Sequence, residues 1–103
     1  MKLSFKSTAV AFLGISLSSM AIAANEPPAQ YQSSCFACHS TGAAGAPKTG
    51  DTAAWEPRFK SGMNGLIASV RQGKGAMPPG GLCADCTDED LQALIEYMSG
   101  HKF

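Results

Sequence analysis

The sequence predicts a small all-α domain, and two observations lead to this. Two segments carry apolar side chains at the spacing of an amphipathic helix, and the rest is rich in glycine and proline, with no segment that alternates as a strand does. The chain has 103 residues, which allows one domain. Charged residues make up 16% of it and form no run of one sign. A nucleic-acid partner and a polybasic membrane patch are therefore not expected.

Residues 1–23 have the features of a secretory signal peptide. Lys2 and Lys6 supply the positive start, residues 7–22 are uncharged and mostly apolar, and Ala21-Ile22-Ala23 is an A-x-A cleavage site. The apolar stretch contains four serines and is shorter than the roughly 20 residues that a membrane span needs. An uncleaved anchor is the alternative. We expect cleavage, export, and a mature domain of residues 24–103 with no stable membrane insertion.

Cleavage would leave a domain with a thin apolar core. Lys2 and Lys6 are lost with the peptide, so the mature chain has six basic and eight acidic side chains and a net charge of −2. It has 80 residues, and only sixteen of their side chains are large and apolar. Domains of this size usually need a disulfide, a metal or a cofactor to be stable. All four cysteines remain available for such a link.

The first predicted helix extends from Pro28 or Ala29 to Cys38. Proline is tolerated in the first turn of a helix, where its missing N–H is not needed. Tyr31 and Cys35 are four residues apart, so they share one face of this helix.

A short second helix is expected after a glycine-rich loop at 40–51. Asp51 or Thr52 can cap its start, because both side chains can accept a hydrogen bond from a backbone N–H of the first turn. The helix would pass through Trp55, and Pro57 would disturb it.

Two longer amphipathic helices complete the predicted domain. Ser61 is expected to cap the first and Gly73 to end it, while Thr87 caps the second and Gly100 ends it. Residues 73–86 between them contain four glycines and two prolines, which predicts neither helix nor strand there. The apolar positions of the two helices, at i, i+3, i+4 and i+7, are Met63, Leu66, Ile67 and Val70, and then Leu91, Leu94, Ile95 and Met98.

The cysteines form two C-x-x-C pairs, Cys35/Cys38 and Cys83/Cys86, and the first pair continues into His39. C-x-x-C-H is the attachment signature of a c-type haem. Two thiols one helical turn apart can add to the two vinyl groups on one edge of the porphyrin, and the next residue brings an imidazole to the iron. Two alternatives exist. A zinc ribbon also uses two C-x-x-C pairs, although 44 residues separate the pairs here. A thioredoxin-like dithiol would need a βαβ context, and we find no strand.

Met77 is the best candidate for the second axial ligand of the iron. Met63 and Met98 lie in the apolar stripes of helices, where methionine usually fills a core. Met77 lies in a loop that Pro78 and Pro79 stiffen, and glycines on both sides let its backbone approach a flat ring. The alternatives are that Met77 only covers an apolar edge, or that His101, near the C-terminus, ligates the iron.

Four segments resemble bacterial cytochrome c5, a family of class I c-type cytochromes: CFACH (35–39), Gly45-Ala46-Pro47, AAWEPR (53–58) and KGAMPPGGLCADC (74–86). The resemblance implies a class I cytochrome c fold around one covalent haem c, with the first and last helices crossing near Tyr31 and Leu94 or Tyr97. It implies thioethers at Cys35 and Cys38, axial ligation by His39 and Met77, and a Cys83–Cys86 disulfide. It also implies respiratory electron transfer in the periplasm between a quinol–cytochrome c reductase or another membrane cytochrome and a terminal oxidase or periplasmic reductase.

The second cysteine pair is expected to form a disulfide on physical grounds as well. Thr87 follows Cys86, so this pair lacks the histidine that a second haem would require. Two thiols three positions apart in an oxidising compartment are expected to pair. The alternative is a redox-active dithiol.

Three further residues are candidates for contacts around the haem. A ligating histidine usually donates its second ring N–H to a carbonyl. In class I cytochromes a proline carbonyl takes this role, and Pro47 lies eight residues after His39. Trp55 is expected either against the haem propionates or in the core. Arg58 is expected either to pair with a propionate or to be a solvated surface charge.

The predicted function is outer-sphere electron transfer by a carrier that is not an enzyme. With both axial positions filled, no substrate would bind the iron. Two other classes remain open at this stage. A small peroxidase-like haem enzyme would need an open iron position, and a zinc-binding module would contain no haem.

Overall fold

The computed structural model describes residues 9–16 and 26–103. Within these ranges the regular elements are helices, and the β pairing is limited to one isolated bridge between Lys74 and Met77. Residues 9–16 have no regular secondary structure. The cleavage site predicted at Ala21-Ile22-Ala23 lies outside the described residues. No helix in the described part of the chain is long and apolar enough to cross a membrane.

The first helix, α1, consists of a π-helical turn, Tyr31–Cys35, that continues directly into an α-helical turn, Phe36–His39. The Tyr31 N–H bonds to the Pro28 carbonyl at 2.9 Å, so the chain already turns at the predicted start. The π-helical turn was not predicted. In it the Phe36 N–H donates to the Tyr31 carbonyl, five residues back, and such turns occur often at functional sites.

The second helix, α2, is the single turn Thr52–Trp55. Asp51 caps it, because its carboxylate accepts the Ala54 N–H at 3.3 Å. The predicted disturbance at Pro57 is confirmed, since α2 stops at Trp55 and a 3₁₀ helix, Glu56–Ser61, replaces it.

The third helix, α3, spans Gly62–Gln72 and ends at Gly73, which has φ +81°. The predicted cap at Ser61 is wrong. Ser61 already has helical backbone angles, because the preceding 3₁₀ helix runs into α3, whereas a capping residue needs an extended backbone. Its hydroxyl donates instead to the Arg58 carbonyl at 2.9 Å.

The fourth helix, α4, spans Asp88–Ser99 and has both predicted ends. The Thr87 hydroxyl accepts the Asp90 N–H at 3.1 Å, and the Asp90 carboxylate accepts the Thr87 N–H at 2.9 Å. This reciprocal capping box satisfies two N–H groups that the helix itself leaves free. Gly100 ends α4 in the left-handed conformation, φ +67°.

Two 3₁₀ turns lie in the loops, Ala43–Gly45 and Pro79–Leu82. The second corrects the expectation that residues 73–86 hold no helix. Proline starts this turn because it needs no N–H there, and Gly80 and Gly81 complete it with positive φ angles.

The core forms where α1 meets α4. The Tyr31 ring lies edge-on to the Tyr97 ring, with 4.9 Å between the ring centroids, and Leu94 is buried in the same cluster. The Tyr31 hydroxyl and Thr49 Oγ1 are 2.7 Å apart, which ties this contact to the loop after α1. The first and last helices therefore meet at the residues that the resemblance implies. The buried members of the cluster are Tyr31, Trp55, Cys83, Cys86, Leu91, Leu94 and Met98.

Candidate haem-binding site

A cleft of about 510 Å³ is lined by segments of all four helices and the intervening loops. Leu66 and Val70 of α3 and Ile95 of α4 make its lining largely apolar. The volume falls in the range of about 300–1,000 Å³ that is typical of sites for small molecules and cofactors. The volume and the lining suit a mostly apolar cofactor.

The attachment residues lie together on the wall formed by α1. Cys35 and Cys38 are half-buried free thiols, and both line the cleft beside His39. Burial raises the pKa of the Cys35 thiol above its ordinary value. The C-x-x-C-H motif thus presents two unpaired sulfurs and one imidazole to the same cavity.

The His39 ring is held in one orientation by its neighbours. Its Nδ1 lies 2.8 Å from the Pro47 carbonyl oxygen, which confirms the predicted partner. A carbonyl only accepts hydrogen bonds, so Nδ1 carries the proton and Nε2 has the lone pair that can bind a metal. The Trp55 ring stacks beside it, with 5.7 Å between centroids, and the Thr49 N–H donates to the His39 carbonyl at 2.7 Å.

Met77 lines the cleft from the loop between α3 and α4 and is half-buried. A two-bond hairpin holds it, because the Lys74 N–H donates to the Met77 carbonyl at 3.1 Å and the Met77 N–H to the Lys74 carbonyl at 3.0 Å. Gly81 lies against its methyl group, since a Cβ at Gly81 would be 3.0 Å from Met77 Cε. Backbone bonds therefore fix the Met77 main chain at the edge of the cavity, and the absence of a side chain at Gly81 leaves room for the thioether.

The other candidate ligands are less well placed. Met98 borders the cleft but is buried in the core, with 3% of its surface exposed, and Met63 is not among the lining residues. His101 lies outside the lining too. Its ring stacks on Phe59, with 4.3 Å between centroids. The structure thus favours Met77 over His101.

Trp55 and Arg58 have different surroundings. The Trp55 indole N–H donates to the Lys48 carbonyl at 2.9 Å, and its buried ring belongs to the core cluster and also lines the cleft. Arg58 lines the cleft and donates one guanidinium N–H to the Ala54 carbonyl.

The second cysteine pair forms a disulfide between Cys83 and Cys86, whose Cα atoms are 5.4 Å apart. Both residues are buried next to Leu91. Disulfide sulfurs have no thiolate to offer zinc, so this pairing disfavours the zinc-ribbon interpretation.

Two residues that the sequence did not single out tie the Met77 loop to its surroundings. The buried Ser34, next to Cys35, donates its hydroxyl to the Leu82 carbonyl at 3.2 Å. The Arg71 guanidinium contacts Cys86 and Asp88 across the end of the same loop. Serine in a short helix and arginine in a last helical turn are both common, so neither carried a signal.

Comparison with known proteins agrees with this geometry. A family model described as cytochrome c oxidase, cbb3-type, subunit III matches residues 23–98. The cytochrome c5 of Azotobacter vinelandii is 54% identical over 68 residues, which cover 64% of this chain and 82% of that protein. The chain belongs to the cytochrome c5 family. A cytochrome c of this kind implies haem c as its cofactor, and the cleft residues fit that group.

Solved structures of related cytochromes show which fold the chain has. A mono-heme ferrocytochrome c from Shewanella putrefaciens is 54% identical, with a TM-score of 0.66, and the match covers 75% of this chain and 96% of that one. A second match is to a chain from an electron transfer complex of nitrite reductase with cytochrome c. It is 44% identical, with a TM-score of 0.61, over 68% of this chain and 85% of that one. The predicted class I cytochrome c fold is confirmed.

Proposed function

We propose that this protein is a periplasmic electron carrier with one covalent haem, held by thioethers at Cys35 and Cys38 and ligated axially by His39 and Met77. The observation that carries the proposal is the convergence on one apolar cleft of two free thiols, an oriented imidazole and a loop-held thioether. Its relatives are small c-type cytochromes that act as electron carriers. The haem supplies the one-electron Fe(II)/Fe(III) couple.

The protein's own residues keep this chemistry to electron transfer. The Pro47 carbonyl fixes the His39 tautomer, so Nε2 stays available at the iron. Met77 fills the other axial position, which excludes water and small substrates and argues against a peroxidase-like enzyme. A thioether ligand and an apolar lining favour the reduced iron and raise its potential.

Arg58 is the basic residue we assign to a haem propionate. Its guanidinium borders the cleft, has one backbone carbonyl as its partner, and forms no salt bridge among the described residues. Guanidinium pairs well with carboxylate, since its several N–H donors match the two oxygens. The bond to Ala54 holds the side chain at the cleft.

The proposed location and partners follow from export. Residues 1–23 direct the chain to the periplasm and are removed, leaving residues 24–103 as the cytochrome domain. Electrons arrive from a quinol–cytochrome c reductase or another membrane cytochrome and leave to a terminal oxidase or a periplasmic reductase. The match to a cytochrome c from a nitrite reductase complex supports the last kind of acceptor.

The test is a visible spectrum of the exported protein together with its Met77→Ala variant. We expect sharp α and β bands on reduction and an iron–thioether charge-transfer band on oxidation. Met77→Ala should keep the haem covalently bound, lose the charge-transfer band, and bind carbon monoxide when reduced and azide when oxidised.

Met63→Ala is the matched control, because Met63 is half-buried and lies outside the cleft lining. It should retain the wild-type spectrum. If Met77→Ala stayed low-spin and closed to both ligands, Met77 would not be the distal ligand. A protein without visible absorption would contradict the proposal as a whole.

A further inference from the structure

The side chain of Arg71 bridges the base of the loop that carries Met77. Arg71 lies in the last turn of α3, one residue before the helix ends. Its Nη2 donates to the Cys86 carbonyl at 2.8 Å and to Asp88 Oδ1 at 2.9 Å. Cys86 ends the loop and Asp88 begins α4, so the Arg71 guanidinium joins the two ends of residues 73–86.

The loop has other bonds, and they act within it or at its middle. The Lys74–Met77 hairpin and the Cys83–Cys86 disulfide stiffen two parts of it. Ser34 holds its middle through the Leu82 carbonyl. These contacts fix the shape of the loop, whereas Arg71 links the helix that precedes the loop to the start of the helix that follows it.

The two bonds of Arg71 are expected to contribute differently to stability. The ion pair with Asp88 is solvated, since the two side chains are 38% and 68% exposed, and exposed pairs contribute little to global stability. The bond to the Cys86 carbonyl is charge-assisted and ends on a buried residue. Losing it should loosen the base of the loop more than it destabilises the domain.

We propose that Arg71 is a positioning residue for the distal ligand: by clamping the base of the loop, it keeps the Met77 thioether on the iron against competing ligands. This inference rests on the proposed His39/Met77 ligation. Local opening of the loop removes Met77 and exposes the iron, and the clamp lowers the population of that open state.

The test is an imidazole titration of the full holoprotein with ferric haem. Loss of the iron–thioether band measures how much imidazole has replaced Met77. Arg71→Ala should raise the apparent imidazole affinity by about tenfold, the size expected for losing one charge-assisted hydrogen bond. Arg71→Lys should restore part of the effect, since an ammonium still reaches one acceptor. Asp88→Asn should have a smaller effect, because the bond to Cys86 remains.

Lys102→Ala is the matched control, because it removes the same charge from another ion pair, in which the exposed Lys102 side chain lies 3.5 Å from Glu96. It should leave imidazole affinity unchanged. The thermal midpoint of each variant is measured as well, and Arg71→Ala should shift it little compared with the change in imidazole binding. If Arg71→Ala matched Lys102→Ala within twofold, or if imidazole affinity changed only in step with global stability, the positioning role would be wrong.

Failure of the underlying proposal gives a different result. A wild-type holoprotein without an iron–thioether band would contradict Met77 ligation, and the role of Arg71 would fall with it. A wild-type protein with the band, and variants that all bind imidazole equally, would contradict Arg71 alone. If Arg71→Ala does not fold, Arg71→Lys and Asp88→Asn provide the test. An imidazole affinity unchanged in both variants would contradict the positioning role of Arg71.

Discussion

The Nδ1 atom of His39 lies 2.8 Å from the carbonyl oxygen of Pro47, eight residues further along the chain. This one bond decides which nitrogen of the ring is free for a metal. The Thr49 N–H closes the same loop onto the His39 carbonyl at 2.7 Å. Residues 40–51 therefore form a brace that holds the imidazole against rotation.

Gly81 and Gly80 offer a matched pair of variants for the Met77 contact. Both have positive φ, +58° and +79°, so alanine at either costs about 1–2 kcal/mol of backbone strain. A Cβ at Gly81 would also lie 3.0 Å from Met77 Cε, while at Gly80 it meets nothing within 4 Å. A free methionine side chain could move away easily, but one that ligates iron cannot.

We therefore expect Gly81→Ala to weaken the iron–thioether band and Gly80→Ala to leave it intact. Both should lower the free energy of unfolding through backbone strain, and Gly81→Ala by more, because it also displaces Met77. The oxidised visible spectrum and denaturant unfolding measure the two effects. An intact band in Gly81→Ala would mean that the Met77 methyl does not lie against this residue in the holoprotein.

Tyr31→Phe should destabilise the fold by about 1–2 kcal/mol, because it leaves Thr49 Oγ1 without its partner at 2.7 Å in a part-buried position. Tyr97→Phe is the control, since Tyr97 packs on the same ring and its hydroxyl has no hydrogen bond among the described residues. Denaturant unfolding of the holoprotein measures both. Equal losses would assign the contribution of Tyr31 to packing alone.

The double variant Cys35→Ala/Cys38→Ala should not fold. It removes both covalent links to the haem, and the cleft of about 510 Å³ would then lie empty beside a core with few large apolar side chains. Circular dichroism should show an unfolded spectrum. A cooperative thermal transition in this variant would contradict the expectation.

The matched control for that variant is Cys83→Ser/Cys86→Ser, which removes two cysteines but keeps the attachment motif. It should remain folded with its haem bound. Its free energy of unfolding should fall by about 2 kcal/mol, because the disulfide no longer constrains the unfolded chain.

The sequence by itself determined what depends on neighbouring residues. Cys35, Cys38 and His39 must lie within about one helical turn of each other, so their grouping needs no tertiary information. The apolar stripe of α4 that ends at Met98 and the cap at Thr87 could also be predicted, because periodicity and capping are local properties. The four-segment resemblance also identified the family.

Only the tertiary structure decided the backbone conformation of Ser61 and the hydrogen-bond partners of Trp55 and Arg71. Ser61 looked like a helix cap, but the 3₁₀ turn packed before it gives it a helical backbone. The Trp55 indole N–H donates to the Lys48 carbonyl. Arg71 reaches Cys86, fifteen residues away. Such partners depend on how the helices pack around the cleft, and no local pattern records which distant carbonyl a side chain meets.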